Sequence, residues 1–219
     1  MFCISFKKRS SFFVRVYQVE ELEGCLSTPM VVCLGVFDGV HLGHRKLIEE
    51  SERIADDKGM TALVHTYDPL PACVISPDNC PCELTPLDMK IKLLEKAGVR
   101  HVAVSRFTQQ LRLMPGRDFF EQVLLGKLNA RHIVAGFNHH FGYRGDTDVM
   151  TLEAMCRHAG IGLSVIAPVK TPQGRLVSST AVRAAVLKND LKAAEEMLGR
   201  KPEPELIACA LRKAPIQNQ

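Results

Sequence analysis

A chain of 219 residues, 46% of them hydrophobic, carries enough apolar material to bury a core, which excludes disorder as its default state. Its net charge of +4 comes from scattered basic residues, which argues against a nucleic-acid partner and suits small anionic ligands. No apolar run approaches the ~18–20 residues of a membrane span, and the N-terminal MFCISFKKRSSFFVRV lacks the ~7–15-residue apolar stretch of a secretory signal.

The expectation is therefore a cytoplasmic protein with no membrane partner. Eight cysteines (Cys3, Cys25, Cys33, Cys73, Cys80, Cys82, Cys156 and Cys209) form no regular framework. In a chain with its own core they are expected to remain reduced thiols. Cys80 and Cys82 flank Pro81 without a second Cys or His pair at zinc spacing.

Residues 1–15 read as an N-terminal extension or first strand. Residues 31–36 (VVCLGV) form a short apolar, β-branched run expected to be a buried strand. Gly35 and Gly39 bracket a tight turn, and from Leu42 the apolar residues return every three or four positions as far as Gly59, which predicts a helix. His41 and His44, three apart at that helix start, can share one face beside unpartnered backbone N–H groups. Such N–H groups and the positive end of the helix dipole suit a phosphate, and imidazoles can donate to oxygens that gain charge in a transition state. Gly43 keeps side-chain bulk out from between the two rings. Alone, an H-x-x-H pair equally suits a solvated surface or a metal half-site.

Residues 60–66 (MTALVHT) are the next strand, so strand, helix and strand make a right-handed parallel crossover. Asp68 follows at the carboxyl end, where ligands of open α/β sheets gather, as a ligand of Mg²⁺ or a polar group or as a turn cap. Residues 71–83 are expected to be a loop that covers a site. Thr85 as N-cap and Pro86 in first position announce a helix that Gly98 stops. Residues 99–105 give a third strand, and Pro115 and Gly116 split residues 111–128 into a short turn and a helix. Residues 131–135 give a fourth strand. His101 and His132, at strand starts, read as solvated or packed histidines.

The loop GFNHHFGYRGDTDV follows. Its glycines free the backbone, and Asn138, His139, His140, Phe141, Tyr143 and Arg144 suit a ring system and a phosphate. The two adjacent histidines also suit a metal. Asp146 or Thr147 is expected to cap a helix over 149–158, followed by a fifth strand at 162–167. In VSSTAVRAAVLKNDLKAAEEML, Ser178, Ser179 and Thr180 are natural N-caps able to receive phosphate, with Arg183 one turn later; a plain capping triplet with a surface arginine is the alternative.

The string G-x-F-D-x-x-H-x-G-H resembles the nucleotidyltransferase superfamily and the His-x-Gly-His of class I aminoacyl-tRNA synthetases. Together with YDPLP, LTPLDMKIKLLEKAGVRHVAVSRF, GFNHHFG and SSTAVR, it makes residues 16–201 similar to the FMN adenylyltransferase module of bacterial FAD synthetases, the bifunctional riboflavin kinase/FMN adenylyltransferase family. The resemblance implies an α/β fold: a Rossmann-like, doubly wound parallel sheet with helices on both faces and a small inserted subdomain. It implies ATP over the His-x-Gly-His helix start, with His41 and His44 as the catalytic pair at the α-phosphate and leaving-group oxygens. Gly35, Val36, Phe37, Asp38 and Gly43 would line the nucleotide, while Ser179, Thr180 and Arg183 would grip its outer phosphates. FMN would lie at Asp68, Asn138, His140 and Phe141, and Mg²⁺ at Asp68 and Asn138.

Two departures stand out: His139 and His140 occupy positions where the family usually has an aromatic and a small or basic residue, and no G-x-P-T-A-N string of a riboflavin kinase is present. Residues 202–219 are expected to be a tail, and the chain to make FAD from FMN but not FMN from riboflavin. Adenylyl transfer to another phosphate ester, or flavin or nucleotide binding without catalysis, are the alternatives.

Overall fold

The computed structural model describes residues 13–212, with side chains as far as Ala208. Most of the expected N-terminal extension and the end of the expected tail lie outside the described residues. Six strands form one sheet: β1 (Arg15–Gln18), β2 (Met30–Leu34), β3 (Thr61–Asp68), β4 (His101–Arg106), β5 (Ala130–Gly136) and β6 (Gly162–Ile166). Their order is β1-β4-β3-β2-β5-β6, and every neighbouring pair is parallel.

Strand β2 is buried along its whole length, as a central parallel strand covered on both faces must be. Its alternation divides the core. Met30, Val32 and Leu34 face one apolar cluster with Phe120, Leu124 and Leu152. Val31 and Cys33 face the other, with Ile48, Ile54 and Leu94. Helices α1 (Leu42–Lys58), α2 (Pro71–Ile75) and α3 (Leu87–Lys96) come next in the chain, and α1 and α3 supply the second face. The first face is covered from residues that follow α4 (Gln109–Leu113): α5 (Gly116–Asp118), which continues into a π-helical turn at Phe119–Leu125, and α6 (Val149–Ala159). The expected two-faced winding is thus present. A third cluster joins α7 (Ser179–Leu187), α8 (Leu191–Leu198) and α9 (Pro204–Arg212) to Cys82 and Leu84 of the small insert between β3 and α3.

Several local expectations are corrected. Residues 71–83 contain α2 and a 3-10 turn at Pro77–Asn79, Cys73 is disulfide-bonded to Cys80, and Cys82 is disulfide-bonded as well, so these three cysteines are not reduced thiols. Cys25, Cys33 and Cys156 are free, as expected. Thr85 does not cap α3. Its hydroxyl accepts from the Gly39 N–H at 2.9 Å and donates to Asp38, because the insert is tied to the glycine turn and the helix begins at Leu87. Asp148, and not Asp146 or Thr147, caps α6, since Asp146 is drawn off to the Gly116 N–H at 3.0 Å. His101 hydrogen-bonds Tyr17 at 3.0 Å and His132 hydrogen-bonds Ser164 at 2.9 Å, the packed roles expected of them.

Candidate active site

After β2 the chain crosses α1 to β3 and then moves on to β4, whereas β5 returns to the opposite side of β2. The strand order therefore reverses between β2 and β5, the place where an open parallel sheet leaves a crevice at its carboxyl ends. Gly35 and Val36 after β2 and Phe137 and Asn138 after β5 line one cavity of about 850 Å³ at this point.

His41 and His44 bring the start of α1 to the cavity wall. His41 caps α1: its Nδ1 accepts from the His44 N–H at 3.3 Å, so the proton of the neutral ring sits on Nε2. The His41 and His44 rings stack with centroids 3.7 Å apart. Burial and the nearby Arg200 guanidinium push His41 down to about 4, and burial together with His41 and Lys90 holds His44 well below the usual imidazole range. Both rings are neutral donors near pH 7. A Cβ at Gly43 would come within 3.1 Å of the His41 ring, which explains the glycine between the histidines. The start of α7 meets the same space. Ser178 caps it by accepting from the Ala181 N–H at 3.1 Å, and Ser178, Ser179 and Thr180 all lie on the wall. Two helix N-termini thus converge on one cavity.

Much of the remaining lining is apolar. Tyr67, Phe119 and Phe141 form an aromatic row, with Phe107 at right angles to Tyr67 and 5.5 Å away. Ile75, Leu113, Phe137, Tyr143 and Leu176 are large apolar side chains left exposed, and all five line this cavity. Such a concentration of exposed apolar surface marks a binding face. His139 shares the wall, pushed down to about 4 by burial and by His140.

Gly35, Val36, Gly43, Ser179, Thr180, Asn138, His140 and Phe141 lie on the cavity wall with the two histidines. Phe37, Asp38, Asp68 and Arg183 do not line it. Phe37 is fully buried with its ring 4.9 Å from His44, and its backbone has φ +53°. Asp38 is a structural hub that accepts from the Leu84 and Thr85 N–H groups, each at 2.9 Å, and pairs with Arg183. Arg183 also donates from Nε to the Cys82 carbonyl at 2.6 Å. Along β3, Tyr67 turns to the cavity face, so Asp68 turns to the other, on the side of α3 where Lys90 lies.

Sequence reasoning passed over Lys90, which is wholly buried in α3 and donates to the Tyr67 carbonyl at 3.2 Å. Burial lowers its pKa, against which Asp38, Glu83 and Asp68 act. A lysine in the middle of an apolar helix face was the available signal. The Leu111, Leu113 and Met114 wall was also missed; its signal was three apolar residues crowded before Pro115.

An open parallel sheet with two phosphate-suited helix starts at its reversal point defines a nucleotidyltransferase-like α/β protein. A Francisella tularensis pantoate-beta-alanine ligase shares the fold, with TM-score 0.50, 10% identity, and 80% of this chain and 77% of the other covered. The chain belongs to the FAD synthetase family, whose model matches residues 26–181. It is 35% identical over 172 residues to the bifunctional riboflavin kinase/FMN adenylyltransferase of Bacillus subtilis, covering 78% of this chain and 53% of the relative. The Escherichia coli K12 protein of the same description is 29% identical over 177 residues, with 81% and 55% covered. The chain thus spans about half the length of these curated relatives. A solved structure described as a macrolide-efflux protein from Streptococcus pneumoniae superposes with TM-score 0.72 at 26% identity, covering 86% of this chain and 60% of that one. Among the described residues no helix is long and apolar enough to cross a membrane.

Proposed function

We propose that the chain transfers the adenylyl group of ATP to FMN, giving FAD and pyrophosphate, in the cytoplasm where ATP is abundant. The observation that carries this reading is a single cavity lined both by stacked neutral imidazoles and two helix N-termini and by aromatic and apolar side chains. A flavin nucleotide carries the counterpart of each, a flat ring system joined to a phosphate.

An oxygen of the FMN phosphate attacks the α-phosphorus of ATP. The new O–P bond forms as the bond to the bridging oxygen of the β-phosphate breaks, and pyrophosphate leaves without a covalent enzyme intermediate. His41, through Nε2–H, and His44 donate to the oxygens that gain charge, while Ser179 and Thr180 at the start of α7 receive the outer phosphates. Arg183 reaches those phosphates only by leaving Asp38. Mg²⁺, when bound, neutralises triphosphate charge and stabilises the departing pyrophosphate. No group of three His, Cys, Asp or Glu side chains among the described residues forms a metal cage. The donor set therefore fits an ion carried mainly by nucleotide phosphates, with Asn138 on the cavity wall as the protein ligand; Asp68, on the opposite face of β3, is not placed to hold it.

The purified chain, incubated with Mg²⁺, ATP and FMN, is expected to yield FAD and pyrophosphate, identified by chromatography. Riboflavin in place of FMN is expected to give neither FMN nor FAD. A chain that releases pyrophosphate with a different phosphate ester but not with FMN, or with none, overturns the assignment.

A further inference from the structure

We propose that Cys73 and Cys80 form a reversible thiol–disulfide switch that fixes or releases one wall of the cavity, and this rests on the assignment of that cavity to FMN. The bond joins α2 to the segment that leads to Cys82 and Leu84. Two residues of α2, Pro71 and Ile75, line the cavity, yet no residue of α2 is buried. The backbone N–H groups of Cys73, Ser76, Asn79 and Cys80 all bond back to Leu70 or to the segment itself. Its one side-chain tie to α4 is the Gln109 amide on the Val74 carbonyl at 3.5 Å, at the outer limit of a hydrogen bond.

What lies beyond Cys80 is anchored differently. The Cys82 carbonyl receives Arg183, and the Leu84 and Thr85 N–H groups bind Asp38. The covalent bond therefore ties a weakly held part of the cavity wall to the segment that Asp38 and Arg183 hold. Without it, α2 loses its covalent tie to a rigid element, and the flavin must order this wall when it binds. Ordering a wall at binding weakens affinity, whereas a wall already in place favours it.

Closure takes two thiol protons and two electrons to an oxidant of the small-molecule disulfide class, which leaves as two thiols. A dithiol reverses the step. In a reducing cytoplasm such bonds are transient and sensing in character, and this one sits where its state alters a binding wall.

The test compares the full chain oxidised with glutathione disulfide and reduced with dithiothreitol, with intact-mass spectrometry to establish each state. The oxidised chain is expected to be lighter by two hydrogens per bond, with Cys73 and Cys80 joined in one peptide. Reduction is expected to raise KM for FMN by about threefold or more, leave kcat nearly unchanged, and speed hydrogen exchange over residues 70–80. Because Cys82 is also disulfide-bonded and the reductant opens that bond too, the Cys73→Ser/Cys80→Ser double variant is compared in its oxidised form, where it is expected to show the raised KM and the faster exchange over residues 70–80. Equal KM and equal exchange in both states, an oxidised double variant with the KM and the exchange of the oxidised parent, or a metal adduct in place of the peptide cross-link overturns the proposal. If FMN binds in neither state the functional reading fails, while the exchange measurement still decides the switch.

Discussion

A histidine that caps a helix commits one ring nitrogen to the backbone and keeps the other for a ligand. His41 does this through Nδ1, and the stacked His44 ring lies 3.7 Å away. Burial is the chief reason that both rings hold protons weakly, with the Arg200 guanidinium adding to it at His41 and the His41 ring adding to it at His44. In the proposed reaction each serves as a neutral donor whose hydrogen bond strengthens as oxygen charge develops. Removing one such donor typically costs about 10²–10³ in turnover. His44→Ala is therefore expected to lower kcat about a hundredfold or more with little change in the circular dichroism spectrum; wild-type turnover in that variant would remove the histidine from the chemistry. The pair was legible because a glycine turn between an apolar run and a helical period places H-x-x-H at a helix start. The partner of Arg183 was not legible. Asp38 lies 145 residues earlier in the chain, and only the folded core brings the two together.

At the scale of elements, the central strands were readable because a parallel sheet buries both of their faces, which makes them largely apolar runs; the edge strand β1 (RVYQ) is mostly exposed and carries no such signal. Helix starts were less so. Thr85 and Asp146 both had the right chemistry for a cap and were claimed by other groups, the Gly39 turn and the Gly116 N–H. The Cys73–Cys80 bond escaped for a similar reason, since its ends meet only once α2 and the following 3-10 turn fold the segment back. Asp38 shows what such ties are worth. It is 1% exposed and holds the insert, the glycine turn and α7 together. Asp38→Ala leaves a guanidinium and two amides without their acceptor, and is expected to cost about 3–5 kcal/mol in urea unfolding. A loss below about 1 kcal/mol would show that water replaces the carboxylate without penalty.

The whole molecule has an acid-side weakness. His41 and His139 are pushed down to about 4 and His65 to about 3, each chiefly by burial. Between pH ~6.5 and 4 the unfolded chain binds more protons than the folded one, so stability falls as pH falls through that window. The melting temperature is expected to be steady above pH ~7 and to drop progressively from pH 6.5 to 4; a flat profile would mean that the rings are solvated. A different whole-chain property follows from the glycine turn. Ser179 donates to the Asp38 carbonyl at 2.8 Å, and Arg200 donates to the carbonyls of Gly39 and Val40 at 2.9 and 3.1 Å. A nascent polypeptide can pair all six strands while α7 and α8 are still inside the ribosome, yet its histidine-bearing corner is unfinished until they emerge. The histidine corner is thus completed late in synthesis, and a protease that trims the molecule after β6 would leave the sheet's strands intact and the corner without its clamps.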